Sequence, residues 1–128
     1  SGSQNVLDKV EKNLKIKEII RRTKWVNNAG IPWSAFFVVG FPFETLSDLK
    51  MTEELIHQVK PSFASINRFT PYPGSKVYED YYVNDNIPFM ELFQLNPKSV
   101  VTLSGEMESY INQMFERFDG YNKVNNNC

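Results

Sequence analysis

The sequence predicts an α/β fold built on two parallel strands, a piece of a larger sheet. Three observations carry this. The run Trp33-Ser34-Ala35-Phe36-Phe37-Val38-Val39 is apolar without clean alternation, as in a strand covered on both faces. An amphipathic stretch follows over 45–60, with Leu49, Thr52, Leu55, Ile56 and Val59 on one side. A second strand-like run covers 62–69, so strand, helix and strand fit into about 38 residues as one βαβ unit with a right-handed crossover. Two such strands with helices outside leave both edges unpaired and one face bare. The chain is therefore expected to come from a longer protein, and to self-associate through its exposed sheet edges.

Ser3 can cap a short first helix through Val6, Leu7 and Val10. The stretch 16–29 sets Ile16, Ile19, Ile20, Thr23 and Val26 on one face and its charges elsewhere, which predicts a second helix stopped by Gly30 and Pro32. The first strand ends at Gly40-Phe41-Pro42. Thr45 then starts the third helix, with Asp48 three residues on as an imperfect capping box, and Lys60-Pro61 ends it. Thr70-Pro71-Tyr72-Pro73-Gly74-Ser75 reads as a rigid loop. Over 80–103, Asn84-Asp85-Asn86 marks a turn, and Pro88 and Pro97 interrupt any long element. The last helix starts at Ser104 and carries Met107, Tyr110, Ile111, Met114, Phe115 and Phe118 at helical spacing. Gly120 is expected to end it and the tail 122–128 to fray.

The chain has 128 residues, 41% of them hydrophobic and 14% aromatic, enough for a packed core. Lys and Arg number 14 against 15 Asp and Glu, a net charge of −1. No basic surplus asks for a nucleic acid partner. One cysteine, Cys128, and one histidine, His57, exclude an intrachain disulfide and a Cys-based or multi-His metal site. The longest apolar stretch, 35–39, is far short of the roughly 20 residues that span a bilayer, and no signal peptide pattern opens the chain. A reducing, cytoplasmic setting is expected.

Parallel α/β sheets bind ligands at the carboxyl ends of their strands. Here those ends are 40–44 and 68–74. Gly40 serves either a close backbone approach to a ligand or a tight turn. Glu44 suits a ligand hydroxyl or ammonium, or the N-terminus of the next helix. Arg68 suits a ligand carboxylate or a structural ion pair. Pro71-Tyr72-Pro73-Gly74 either holds a ring over a substrate or is a stiff connector. His57 reads as a surface residue, Cys128 as an inert thiol, and the aromatic stripe of the last helix as core or docking surface. Glu79 and Asp80 make no catalytic pair, and no catalytic residue is assigned. No Walker loop, zinc-binding helix motif or nucleophile elbow occurs.

These stretches carry a family resemblance. Ser1-Gly2-Ser3-Gln4-Asn5-Val6-Leu7-Asp8 resembles the segment after the fourth barrel strand of radical S-adenosylmethionine enzymes. Asn28-Ala29-Gly30-Ile31-Pro32 with Phe36-Phe37-Val38-Val39-Gly40-Phe41-Pro42-Phe43-Glu44-Thr45 resembles the fifth strand and its turn. Lys60-Pro61-Ser62-Phe63-Ala64 with Phe69-Thr70-Pro71-Tyr72-Pro73-Gly74-Ser75 resembles the sixth strand and its loop. The order and spacing are similar to the subgroup with an N-terminal cobalamin-binding domain, which includes anaerobic magnesium-protoporphyrin IX monomethyl ester oxidative cyclases.

The resemblance implies a partial TIM-like barrel of six β/α units, with its last two strands in residues 1–80 and a C-terminal extension in 81–128. For the parent protein it implies S-adenosylmethionine, a [4Fe-4S] cluster held by an upstream three-cysteine motif, a small-molecule substrate, and a cobalamin in some members. It implies oxidative cyclisation of a tetrapyrrole or a cobalamin-dependent methylation there. This chain alone lacks the cluster cysteines and is expected to be inactive. By the same resemblance Val38, Val39 and Gly40 line the adenine side of the cofactor pocket, and Ser3 lies near the ribose or methionine end. Lys12 reaches the methionine carboxylate, and Arg68, Pro71 and Tyr72 lie at the sixth-strand mouth. One departure stands out: the family commonly has Gly where this chain has Phe43, which a positive φ would strain. A methylthiotransferase-like enzyme would need a nucleic-acid-binding domain after the barrel, and 81–128 offers no basic aromatic surface for one. A stand-alone α/β binding or scaffold module is the alternative from another class.

Overall fold

The computed structural model describes residues 1–87 and 101–125. Cys128, Pro88 and Pro97 lie outside the described residues. Two parallel strands, β1 (Ser34–Val39) and β2 (Phe63–Arg68), pair in register from Ser34 opposite Phe63 to Val39 opposite Arg68. Among the described residues they form a two-stranded sheet, as expected of the chain. Five described helices accompany them: α1 (Gln4–Lys9), α2 (Ile16–Asn28), α3 (Leu46–Val59), α4 (Lys76–Tyr81) and α5 (Gly105–Asn125).

The local signals act as expected over most of the chain. Ser3 caps α1, its Oγ accepting from the Val6 N–H. Gly30, at φ 67°, turns the chain out of α2. The capping box of α3 closes fully: Thr45 Oγ1 accepts from the Asp48 N–H, and Asp48 Oδ2 from the Thr45 N–H. Aspartate reaches back as glutamate would. Leu49, Thr52, Leu55, Ile56 and Val59 are all buried. Phe37 and Val39 of β1, Ala64 of β2, this stripe, and Met107, Ile111, Met114 and Phe118 of α5 make the main core. Ile16, Ile19 and Ile20 of α2 pack against it.

One finding meets expectation and three depart from it. First, the described residues cover β1 on one face only, the bare face expected of two strands with helices outside. Phe36 is 76% exposed, and Val38 and Phe63 on the same face are each 37% exposed. The apolar run in β1 reflects a strand whose second face the described residues leave open. Second, the edges differ. The Asn122 side chain of α5 accepts from the Ala64 N–H (2.9 Å) and donates to the Ala64 carbonyl (2.8 Å), so α5 ties down the outer edge of β2. The outer edge of β1 has no such tie among the described residues. Among the described residues only the edge of β1 is left as open as the sequence predicts. Third, Ser75 caps the short helix α4, which buries Val77. The sequence predicts only a loop up to Ser75.

Fourth, Gly120 does not end α5. The helix runs through it to Asn125, because Tyr121 donates to the Pro61 carbonyl (2.5 Å) and Asn122 holds Ala64. Ser104 does cap the start, its Oγ accepting from the Met107 N–H (3.3 Å). Glu53 of α3 binds Arg117 of α5 at 2.7 and 2.9 Å and accepts from Tyr110 Oη, which further joins the two helices. The described residues 101–125 therefore share a core with residues of 1–80.

Gly120 sits inside a helix with no positive φ, and a Cβ there would meet nothing within 4 Å. Gly120→Ala is expected to stabilise the chain by about 0.5–1 kcal/mol, read from urea melts. A loss of stability would mean that Gly120 takes the left-handed conformation of a helix end.

Candidate functional site at the strand carboxyl ends

The chain leaves β1 through Gly40, at φ 86°. The left-handed φ is what favours glycine there, since a Cβ would stand 3.3 Å from the flexible Leu103 Cδ1, which a small shift would relieve. Phe43 is not among the positive-φ residues, so the departure from the family glycine costs no backbone strain. Phe41 stacks on Phe43 and Phe69 at centroid distances of 5.6 and 4.6 Å. With Val6, Val77, Tyr82 and Val101 they roof the strand ends with a second apolar cluster.

Glu44 lies under this roof, 7% exposed. Its Oε2 accepts from the N–H groups of Gly40 (2.5 Å) and Phe41 (3.3 Å), while its Oε1 is buried without a hydrogen-bond partner among the described residues. Burial pushes its pKa from 4.5 up to about 7, against the two N–H groups, which pull it down. Glu44 thus closes the turn after β1 through side-chain bonds that sequence reasoning did not foresee.

Residues 1–3 dock onto the first turns of α3. The Gly2 N–H donates to Thr52 Oγ1 (2.8 Å), and the Ser3 hydroxyl donates to Asp48 Oδ1 (2.5 Å). A Cβ on Gly2 would collide with the Met51 carbonyl and stand 2.6 Å from Thr52 Cα. Burial alone would raise the Asp48 pKa, but hydrogen bonds from Ser3 and Thr45 outweigh it and hold the carboxyl below its ordinary value. Asp48 and Thr52 entered the sequence reading only as cap and core. A Thr inside an apolar stripe was the available signal.

The expected site residues do not gather in one place. Val39 is wholly buried in the main core. Val38 lies on the open face, and the parallel ladder turns its backbone groups to the outer edge of β1. Phe36, Ser65 and Asn67 share that face. Ser3 faces Asp48, Lys12 sits on the exposed loop between α1 and α2, Pro71 is buried and Tyr72 is exposed. Arg68 turns away from the mouth into the helix layer. It pairs with Glu108 at 2.8 Å, donates to Asn112 at 3.0 Å and lies 5.6 Å from the Phe115 ring. Of the two roles the sequence leaves open for Arg68, a ligand partner or a structural ion pair, the structure shows the ion pair, with α5. His57 contacts the Phe118 ring at 5.4 Å. Among the described residues no group of His, Cys, Asp and Glu forms a metal site, and no helix is long and apolar enough to cross a membrane.

No known family model matches the chain. It is similar to a tRNA-2-methylthio-N(6)-dimethylallyladenosine synthase of Ehrlichia ruminantium, 36% identical over 77 residues, which is 59% of this chain and 17% of that protein. A threonylcarbamoyladenosine tRNA methylthiotransferase of Thermotoga maritima is 35% identical over 77 residues, 59% of this chain and 18% of its own length. An uncharacterized methyltransferase of Pyrococcus horikoshii is 25% identical over 108 residues, 84% of this chain and 22% of its own length. That last match is too long to stay within residues 1–80. The chain spans about a fifth of the length of these curated relatives.

The Glu44 carboxyl sets a pH dependence. Its folded pKa of about 7 exceeds the ordinary 4.5, so the unfolded chain ionises first as pH rises. Stability from this group is full below pH 4.5 and falls as pH climbs to about 7. Relative to Glu44→Gln, the wild type is expected to lose on the order of 3 kcal/mol across that window in urea melts. Parallel stability curves for the two proteins would refute the raised pKa.

Proposed function

We propose that this chain is the C-terminal part of the catalytic domain of a radical S-adenosylmethionine enzyme that attaches a methylthio group to an adenosine of tRNA. The similarity to two tRNA methylthiotransferases at 35–36% identity carries this reading. The geometry supports it, since the motif stretches of the resemblance meet around one parallel strand pair. In this reading β1 and β2 are the last two strands of a partial barrel, and the open face bearing Phe36, Val38, Ser65 and Asn67 looks into it.

That face fits part of S-adenosylmethionine. Phe36 and Val38 offer apolar surface to an adenine ring, while Ser65 and Asn67 offer hydrogen bonds. Lys12 is the cation proposed for the methionine carboxylate. The iron–sulfur cluster does not fit this chain, which has a single cysteine. Its ligands belong to the remainder of the parent, and no step is assigned to it here. With a net charge of −1 this chain offers no basic surplus for tRNA, so in this reading the main tRNA-binding surface belongs to the remainder of the parent and the substrate is tRNA rather than a small molecule.

One observation favours a second reading. The methyltransferase relative matches more of this chain, 84% against 59%, so transfer of a methyl group stands beside methylthiolation. Oxidative cyclisation and cobalamin have no support of this kind.

The test uses the full-length parent, purified and reconstituted without oxygen. Expected are bound iron and sulfide, 5′-deoxyadenosine from S-adenosylmethionine under reductant, and tRNA nucleosides that gain a methylthio group by mass spectrometry. A gain of methyl alone would favour the second reading. A folded parent with neither cluster nor 5′-deoxyadenosine would overturn both in favour of a binding module.

A further inference from the structure

Two stretches far apart in sequence meet at one carboxylate. Asp48 Oδ1 accepts from the Ser3 hydroxyl, and Oδ2 accepts from the Thr45 N–H (2.9 Å) and Thr45 Oγ1 (2.7 Å). Ser3 at the same time caps α1, and Thr45 caps α3. One buried side chain therefore joins the caps of two helices and fixes residues 1–3 against the turn that leaves β1. Neighbouring bonds follow the same direction. The Gly2 N–H and the Ser1 hydroxyl both meet Thr52 Oγ1, and the Ser3 N–H donates to Ser1 Oγ at 3.1 Å. The hydroxyls of Ser1 and Ser3 are thus both engaged with α3. Ser3 is only 2% exposed.

We infer that Asp48 is a positioning residue for the cofactor site, and that Ser3 acts through Asp48 without touching the ligand. This rests on the S-adenosylmethionine reading above. A hydroxyl buried in a 2.5 Å bond to a carboxylate has its one proton committed and faces away from solvent. What residues 1–3 can present is backbone, and the place of that backbone is set by Asp48 and Thr52. The usual consequence of loosening such a support is a misplaced site rather than a lost contact.

The experiment is a double-mutant cycle in the full-length, anaerobically reconstituted parent, read by calorimetric binding of S-adenosylmethionine. Ser3→Ala and Asp48→Ala are each expected to weaken binding by about tenfold or more. The double variant is expected to be no weaker than either single, within about threefold. Thr45→Ala removes the α3 cap hydroxyl and leaves Ser3 in place. It is expected to lower Tm yet keep affinity within about threefold. If Asp48→Ala does not fold, Asp48→Asn carries the cycle, since it keeps the shape and loses the charge. Additive losses would mean that Ser3 touches the ligand itself and would overturn the inference. So would a Thr45→Ala variant as weak as Asp48→Ala, since a general loss of helix order would then explain both. A wild type that folds but does not bind S-adenosylmethionine would overturn the proposed function instead. The same cycle read in Tm then decides whether Asp48 sets residues 1–3, with coupled losses sustaining that and additive losses ending it.

Discussion

A parallel pair of strands obliges the chain between them to cross one face of the sheet, and α3 makes that crossing here. Its apolar stripe is where the other layers converge. Leu49 and Ile56 are wholly buried between Phe37 and Val39 of β1 and the α5 side chains Ile111 and Met114. α2 and α5 both pack on α3, and α5 also lies along β2. Removing one large side chain from such a stripe typically costs about 2–5 kcal/mol, a large share of a small protein's stability. The site inherits its geometry from the same helix, because residues 1–3 and the turn after β1 are both held at its N-terminal end.

Two acids four residues apart at that end behave in opposite ways. Glu44 is driven up by burial, while Asp48 is held down despite it. Both gain from the positive end of the α3 dipole, so the dipole does not separate them. The difference lies in donors. Asp48 has the Ser3 hydroxyl on one oxygen and two Thr45 groups on the other. Glu44 has two backbone N–H groups on one oxygen and, among the described residues, none on the other. An unpaired buried oxygen makes ionisation expensive, and a fully satisfied one makes it easy.

Local chemistry was readable in the sequence wherever a single stretch decides the outcome. The caps at Ser3, Thr45 and Ser104, the stop at Gly30 and the α3 stripe all follow from neighbours in the chain. What escaped depends on partners far away in sequence. Arg68 offered equal cases for a ligand and for an ion pair until α5 placed Glu108 and Asn112 beside it. Gly120 has the residue type of a helix stop, and only the bonds of Tyr121 and Asn122 to the β2 region carry the helix past it. The short α4 went unseen because six residues give too little periodicity to separate a helix from a loop. The two turns that leave the strands, at Gly40 and after Arg68, lie where the sequence places them, while the expected site residues scatter. The direction of each side chain there was not legible, since alternation in a strand gives two faces without saying which one is covered.

α5 also gives the sheet a direction. On β2 the Asn122 amide satisfies both backbone groups of Ala64, in the way a neighbouring strand would. Arg68 and Ile66 further along bind and pack toward the same helix layer. On β1 the outward backbone groups belong to Ser34, Phe36 and Val38, and the side chains beside them form the open apolar face. A strand approaching β2 would have to displace Asn122 and leave its amide unpaired, at a cost of about 1–3 kcal/mol for each buried group stranded. A strand approaching β1 meets backbone donors and acceptors that none of the described residues engages, and it buries exposed Phe36. Among the described residues the two edges therefore differ in free energy of extension, with β1 the more open. That asymmetry is what the final strand of a larger sheet requires, and it accords with the proposed place of this chain at the carboxyl end of a barrel.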